Sequence, residues 1–134
     1  MSPRLRHFLR YQFPALLWAV IIFIASSIPA PKLPKIVTLI NDKVIHVGIF
    51  LVFGLLVYRA LEPRIQTVSL NWKRLLLAVA IVVFYGVSDE LHQGLVPGRT
   101  LDVKDVTADA VGGILSAVLV YFDHKRKSQK NRPE

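Results

Sequence analysis

Apolar positions in this chain fall in long runs, and polar positions collect between the runs. The first run extends from about Phe13 to Ile28, with Pro14 in its first turn, where a missing N–H costs little. It closes at Pro29-Ala30-Pro31 with no small-residue cleavage site, and so reads as a retained span. Prolines make the stretch to Lys35 an extended turn. Ile36 to Ile40 is too short to cross a bilayer and reads as an interfacial or re-entrant piece. The second run covers about Asp42 to Leu61 and stops at Glu62-Pro63-Arg64. A polar loop reaches Lys73. In the third run the purely apolar part is only Leu75 to Val87. A span needs about 20 residues, so the helix must continue through Ser88-Asp89-Glu90-Leu91-His92-Gln93. That carries several polar side chains to the depth of the membrane or its interface. Gly94 to Gly98 forms a turn, and the fourth run starts between Asp102 and Asp105 and ends near Phe122.

These runs predict an all-α membrane protein, a four-helix transmembrane bundle in one domain of about residues 13–122. Residues 1–12 precede it as an interfacial lead-in, and 123–134 follow as a basic tail. Composition agrees: apolar residues make up 53% of 134, and mean hydropathy is +0.46. The net charge of +8 brings nucleic acid to mind, but no basic stripe with interleaved aromatics is present, and the cations flank the runs. No cysteine is present, which removes disulfides, thiolate nucleophiles and thiolate-bound zinc.

The cations also give an orientation. One side holds Arg4, Arg6, Arg10, Arg59, Arg64, Lys73, Arg74, Lys125, Arg126, Lys127, Lys130 and Arg132. The other holds Lys32, Lys35, Lys43, Arg99 and Lys104. The positive-inside rule then puts both termini in the cytoplasm.

The acids fall the opposite way. Asp42, Asp89, Glu90, Asp102, Asp105 and Asp109 are all on the non-cytoplasmic side, joined by His46, His92, Gln93 and Arg99. A charge at the bilayer centre costs on the order of 3 kcal/mol or more, so such groups must be paired, hydrated or used. Helical spacing puts Asp42 and His46 on one face, and Asp89, His92 and Gln93 on another, with Glu90 about a quarter-turn away. Asp102, Asp105 and Asp109 share a face of the fourth helix. Gly112-Gly113 and neighbouring small residues permit close helix contact.

Each member has a structural reading as well. Asp42 or Asp102 could cap a helix, and Asp105 could favour a helix dipole. His46 could bond Asp42 and nothing more. Arg99 could form a buried ion pair with Asp89 or Glu90. The whole cluster exceeds what a structural bundle needs, and points to a site.

Asp42-Lys43-Val44-Ile45-His46 with Phe50, and Asp89-Glu90-Leu91-His92-Gln93, Pro97-Gly98-Arg99, Asp105 and Gly112, resemble the VanZ-like family. The likeness covers about Phe13 to Phe122. One departure is Asp109, where that family often has Asn. The resemblance implies a multi-pass protein of the bacterial cytoplasmic membrane with a cell-envelope role, linked through the founding member to teicoplanin resistance. It supplies no established catalytic residues, only matching positions.

From these residues three classes of function are expected. In the first, Asp42, Gln93, Arg99 and Asp102 bind an anionic membrane lipid or lipid-linked cell-wall precursor by its headgroup. In the second, the protein is a hydrolase or transferase on such a headgroup. His46, Asp89 and Glu90 would then be its acid–base residues, and Asp89, Asp105 and Asp109 ligands of Mg²⁺ or Mn²⁺. In the third, it is a non-catalytic adaptor whose polar cluster fixes helix register. Six acids repel an anion unless a cation or protons intervene, which points to a metal in the first two.

Overall fold

The computed structural model describes residues 1–32, 41–61 and 70–130. The expected interfacial piece Ile36 to Ile40 and most of the loop before Lys73 lie outside these. Among the described residues, four helices carry the fold. Helix α1 is Pro3–Ser26, α2 Asp42–Ala60, α3 Trp72–Gln93 and α4 Val103–Lys130. All four are long and apolar enough to cross a membrane.

Helix α1 starts earlier than its apolar run. Ser2 caps it by accepting the Leu5 N–H at 3.2 Å. The helix is α over Pro3–His7, widens to π over Phe8–Gln12, and is α again over Phe13–Ser26. Pro14 explains the widening, because it offers no N–H to the turn below and its ring crowds the carbonyl of Arg10. The expected lead-in is thus continuous with the first span. Helices α2 and α3 are capped by Asn41 and Asn71, which accept the N–H groups of Lys43 (3.0 Å) and Arg74 (3.1 Å). The cap before α2 is therefore Asn41, not Asp42. Asp102 does cap α4, accepting the Lys104 N–H at 2.9 Å. Helix α4 runs past Phe122 to Lys130, so the part of the tail up to Lys130 is helical, supported by the Asp123–Lys127 pair at 2.6 Å.

The helices alternate in direction. The end of α1 meets the end of α3 through Ser26 and Asp89, while the starts of α2 and α4 meet through Lys43 and Asp102. At the opposite end, the Arg59 guanidinium lies 5.6 Å from the Tyr11 ring, and Arg74 lies 3.9 Å from Tyr58. Trp72 packs on Tyr121 there, completing an aromatic and basic belt of the kind found at membrane interfaces.

Between the two ends the core is Ala15, Ile22, Phe50, Phe53, Val57, Ala78 and Val82. Leu16, Ile24, Leu76, Phe84, Ile114 and Leu119 point outward, as side chains do when lipid is the solvent. The most extensive packing is between α2 and α4. Gly112 permits it. A Cβ there would lie 2.6 Å from the Val47 carbonyl oxygen and 2.9 Å from the Leu51 nitrogen. Only a residue without a side chain lets the two backbones touch.

Candidate functional site

The polar residues gather at the end of the bundle where α1 and α3 finish and α2 and α4 begin. They form two neighbouring groups.

The first lies between α2 and α4. The Lys43 ammonium donates to Asp105 and to Asp102 Oδ2 at 2.9 Å, and stands 3.7 Å from Asp42 Oδ2. Three carboxylates thus surround one cation. The Asp102 carboxyl, in the loop before α4, sits below its usual range, first because of the Lys43 hydrogen bond and then because of the Lys104 N–H. One turn deeper, His46 Nδ1 is 2.8 Å from Asp109 Oδ1. A carboxylate accepts, so Nδ1 carries the hydrogen, and in the neutral ring Nε2 keeps its lone pair. That nitrogen faces the mouth, 3.9 Å from Asp42 Oδ1.

Asp109 is 1% exposed, and Gly86 of α3 makes room for it. A Cβ on Gly86 would fall 2.9 Å from Asp109 Oδ2. Glu90, also 1% exposed, joins this group from α3 and accepts the Asp102 N–H at 2.5 Å. One oxygen of each buried acid, Glu90 Oε2 and Asp109 Oδ2, accepts no hydrogen bond from the described residues.

The second group lies between α1, α3 and the loop after α3. Asp89 is fully used: Ser26 Oγ donates to Oδ1 at 2.6 Å, and Gln93 Nε2 donates to Oδ2 at 2.9 Å. Arg99 donates to Gln93 Oε1 (3.1 Å), to the Ile28 carbonyl (3.2 Å) and to the Ala25 carbonyl (3.5 Å). The guanidinium therefore straps the loop to the end of α1. It reaches Asp89 only through Gln93, and no ion pair with Asp89 or Glu90 forms among the described residues. His92 faces α1, stacked on Phe23 with Nε2 2.9 Å from Ser27 Oγ. Ser88 is exposed and donates to the Phe84 carbonyl.

The sequence expectation that these segments meet at one end holds for Asp42, His46, Asp89, Glu90, Gln93, Arg99, Asp102, Asp105 and Asp109. Their grouping differs from the expected one. Asp89, Asp105 and Asp109 do not pool their oxygens. Each has its own principal partner: Ser26, Lys43 and His46 respectively. Among the described residues, the donor atoms that converge within 4.8 Å belong instead to Asp42, His46 and Asp105. Three participants were not foreseen. The sequence presents Lys43 only as one of the flanking cations and as part of the motif that begins at Asp42. Gly86 had no signal before its neighbour was known. Ser26 did leave one: Ser26-Ser27 is the one hydroxyl pair in the first apolar run.

The architecture is that of a small multi-pass helical membrane protein. Its sequence matches the family described as VanZ/LLP1 over residues 11–123, and the chain belongs to that family. It is also 29% identical over 133 residues to an uncharacterized protein of Schizosaccharomyces pombe, covering 98% of this chain and 77% of that one. No solved structure matches it.

Proposed function

We propose that the polar end of the bundle receives the headgroup of a membrane lipid from the adjoining leaflet. The observation that carries this is the pair of buried carboxylate oxygens, Glu90 Oε2 and Asp109 Oδ2, that accept no hydrogen bond from the described residues. Leaving a buried acceptor without a donor costs about 1–3 kcal/mol. A cluster built only to hold helices together has no use for two of them. A headgroup hydroxyl or amine, or a cation bridging to phosphate, would supply what they lack. Bare phosphate is a poor fit, because acids outnumber cations here and Arg99 is already committed to Gln93 and two carbonyls.

We favour a phospholipid over a lipid-linked cell-wall precursor, because a relative of the chain occurs in fission yeast and phospholipids are common to all cell membranes. A link to teicoplanin would then be one use of a more general lipid function. The bacterial cytoplasmic membrane and the inward termini belong to this proposal too, the second supported by the distribution of cations.

Chemistry on the headgroup, hydrolysis or transfer, would fall to His46. Its Nε2 faces the mouth while buried Asp109 orients the ring, the arrangement by which a carboxylate prepares an imidazole base. The adaptor reading has its own support: Lys43 already neutralises Asp102 and Asp105 from within.

The test is lipid retention. Protein extracted into nanodiscs with native lipid should hold one headgroup class above its bulk share, read by mass spectrometry. Glu90→Gln should lose that enrichment while staying folded. Retained lipid that mirrors the bulk membrane in wild type would defeat the proposal and leave the adaptor.

A further inference from the structure

The geometry points to a divalent metal site made by Asp42, His46 and Asp105, whose place is held in the metal-free chain by the ammonium of Lys43. This goes beyond the lipid proposal and stands or falls separately from it.

Four observations carry it. First, one atom from each of the three side chains lies within 4.8 Å of the others, close enough for one ion to bridge them. Second, His46 is presented as metal-bound histidines are. Its Nδ1 is held at 2.8 Å by a carboxylate that is 1% exposed, and its Nε2 looks toward Asp42. Metal-ligating histidines nearly always give their other ring nitrogen to such an outer partner, which fixes the tautomer and raises ligand basicity.

Third, the buried Glu90 is tied to the neighbouring residue Asp102. Its Oε1 takes the N–H of Asp102, the residue that also holds Lys43. Its Oε2 has no donor among the described residues, so an electron-pair donor stands unused on a side chain joined to Asp102, a partner of the cluster's cation. Fourth, a cation is already there. Lys43 sits between Asp42, Asp102 and Asp105 on a flexible stem and is about one-third exposed. It neutralises the acids when no metal is bound, and it can swing into water when one arrives.

The donor set narrows the ion. One imidazole and two carboxylates suit Zn²⁺ or Mn²⁺; Mg²⁺ and Ca²⁺ prefer oxygen alone. A bound ion would also answer the electrostatic objection to a phosphate, by turning an acidic mouth into one that attracts it.

The experiment uses the full chain, free of any histidine tag, in detergent and then in nanodiscs. After chelation it is titrated with Zn²⁺ and with Mn²⁺ alone, followed by calorimetry and, for Mn²⁺, by electron paramagnetic resonance. The expected result is one site per chain, occupied by either ion well before Mg²⁺ or Ca²⁺. Asp109→Asn should weaken it about 10- to 100-fold, the usual cost of losing an outer partner. Lys43→Met should do the reverse and tighten binding at least about tenfold, because the competing ammonium, and its full-charge repulsion of the ion, are gone. That variant keeps the ligands, so it stays informative even if His46→Ala fails to fold. No stoichiometric binding to wild type or to Lys43→Met overturns the site, as does an affinity that Lys43→Met leaves unchanged. Lipid retention does not enter this measurement, so failure of either proposal is recognised without the other.

Discussion

His46 Nδ1 and Asp109 Oδ1 lie 2.8 Å apart, joining α2 to α4 one turn below the mouth, with the acid almost wholly out of reach of solvent. Removing one partner of a buried hydrogen bond strands the other, at a cost of about 1–3 kcal/mol, and more where the stranded group is a carboxylate. Asp109→Ala and His46→Ala should each approach that range in unfolding from mixed micelles. The double variant should lose much less than the sum. A coupling energy near zero in the cycle would mean that the two side chains do not depend on each other.

Gly112 and Gly48 give a paired test of the α2–α4 contact. Alanine at 112 puts a methyl against backbone atoms of Val47 and Leu51 that cannot step aside, whereas at 48 it meets nothing within 4 Å. Gly112→Ala should destabilise by about 1–3 kcal/mol, the usual range for overpacking. Gly48→Ala should be neutral or stabilising by up to about 1 kcal/mol, as alanine is the better helix former. Equal effects in the same unfolding assay would rule out the close backbone approach.

Arg99→Lys keeps the charge and loses the fork. Three acceptors on two segments, Gln93, Ile28 and Ala25, are served by one rigid guanidinium, and an ammonium cannot reach all of them. Amide exchange in residues 94–102 should rise at least about tenfold, which corresponds to about 1.4 kcal/mol of local protection. Exchange at wild-type rates would show that the strap is not needed.

Asp102 makes stability depend on pH. Its carboxyl titrates below the ordinary 3.8 in the folded chain, because Lys43 and the Lys104 N–H favour the ionised form. A depressed folded value means the contribution is complete above the unfolded value and disappears as pH falls through the folded one. Wild type should therefore melt above Asp102→Asn at pH 6, and the gap should close as the buffer is taken below about pH 4. A gap that widens on acidification would reverse the assignment.

The membrane-spanning elements were legible because a bilayer demands length. The third helix had to pass through Asp89 and Gln93, since its apolar part was too short to cross alone, and it does. The extension of α4 to Lys130 was not legible, because no hydropathy rule marks a helix that leaves the lipid; its Asp123–Lys127 pair was the local clue. At the site, the period of the helix gave the right end and the right faces. It could not give partners. Lys43 turns to Asp105, and Ser26 to Asp89, across gaps of 62 and 63 residues that only packing can close.

Helix α4 is one unbroken rod of 28 residues, about 42 Å from end to end. Asp105 and Asp109 stand near one tip and Lys127 and Lys130 near the other. A stiff rod cannot shift at one tip without declaring it at the other. A fluorophore on Gln129 should therefore register, as a change of tilt, whatever rearranges around Asp105 on the far side of the lipid.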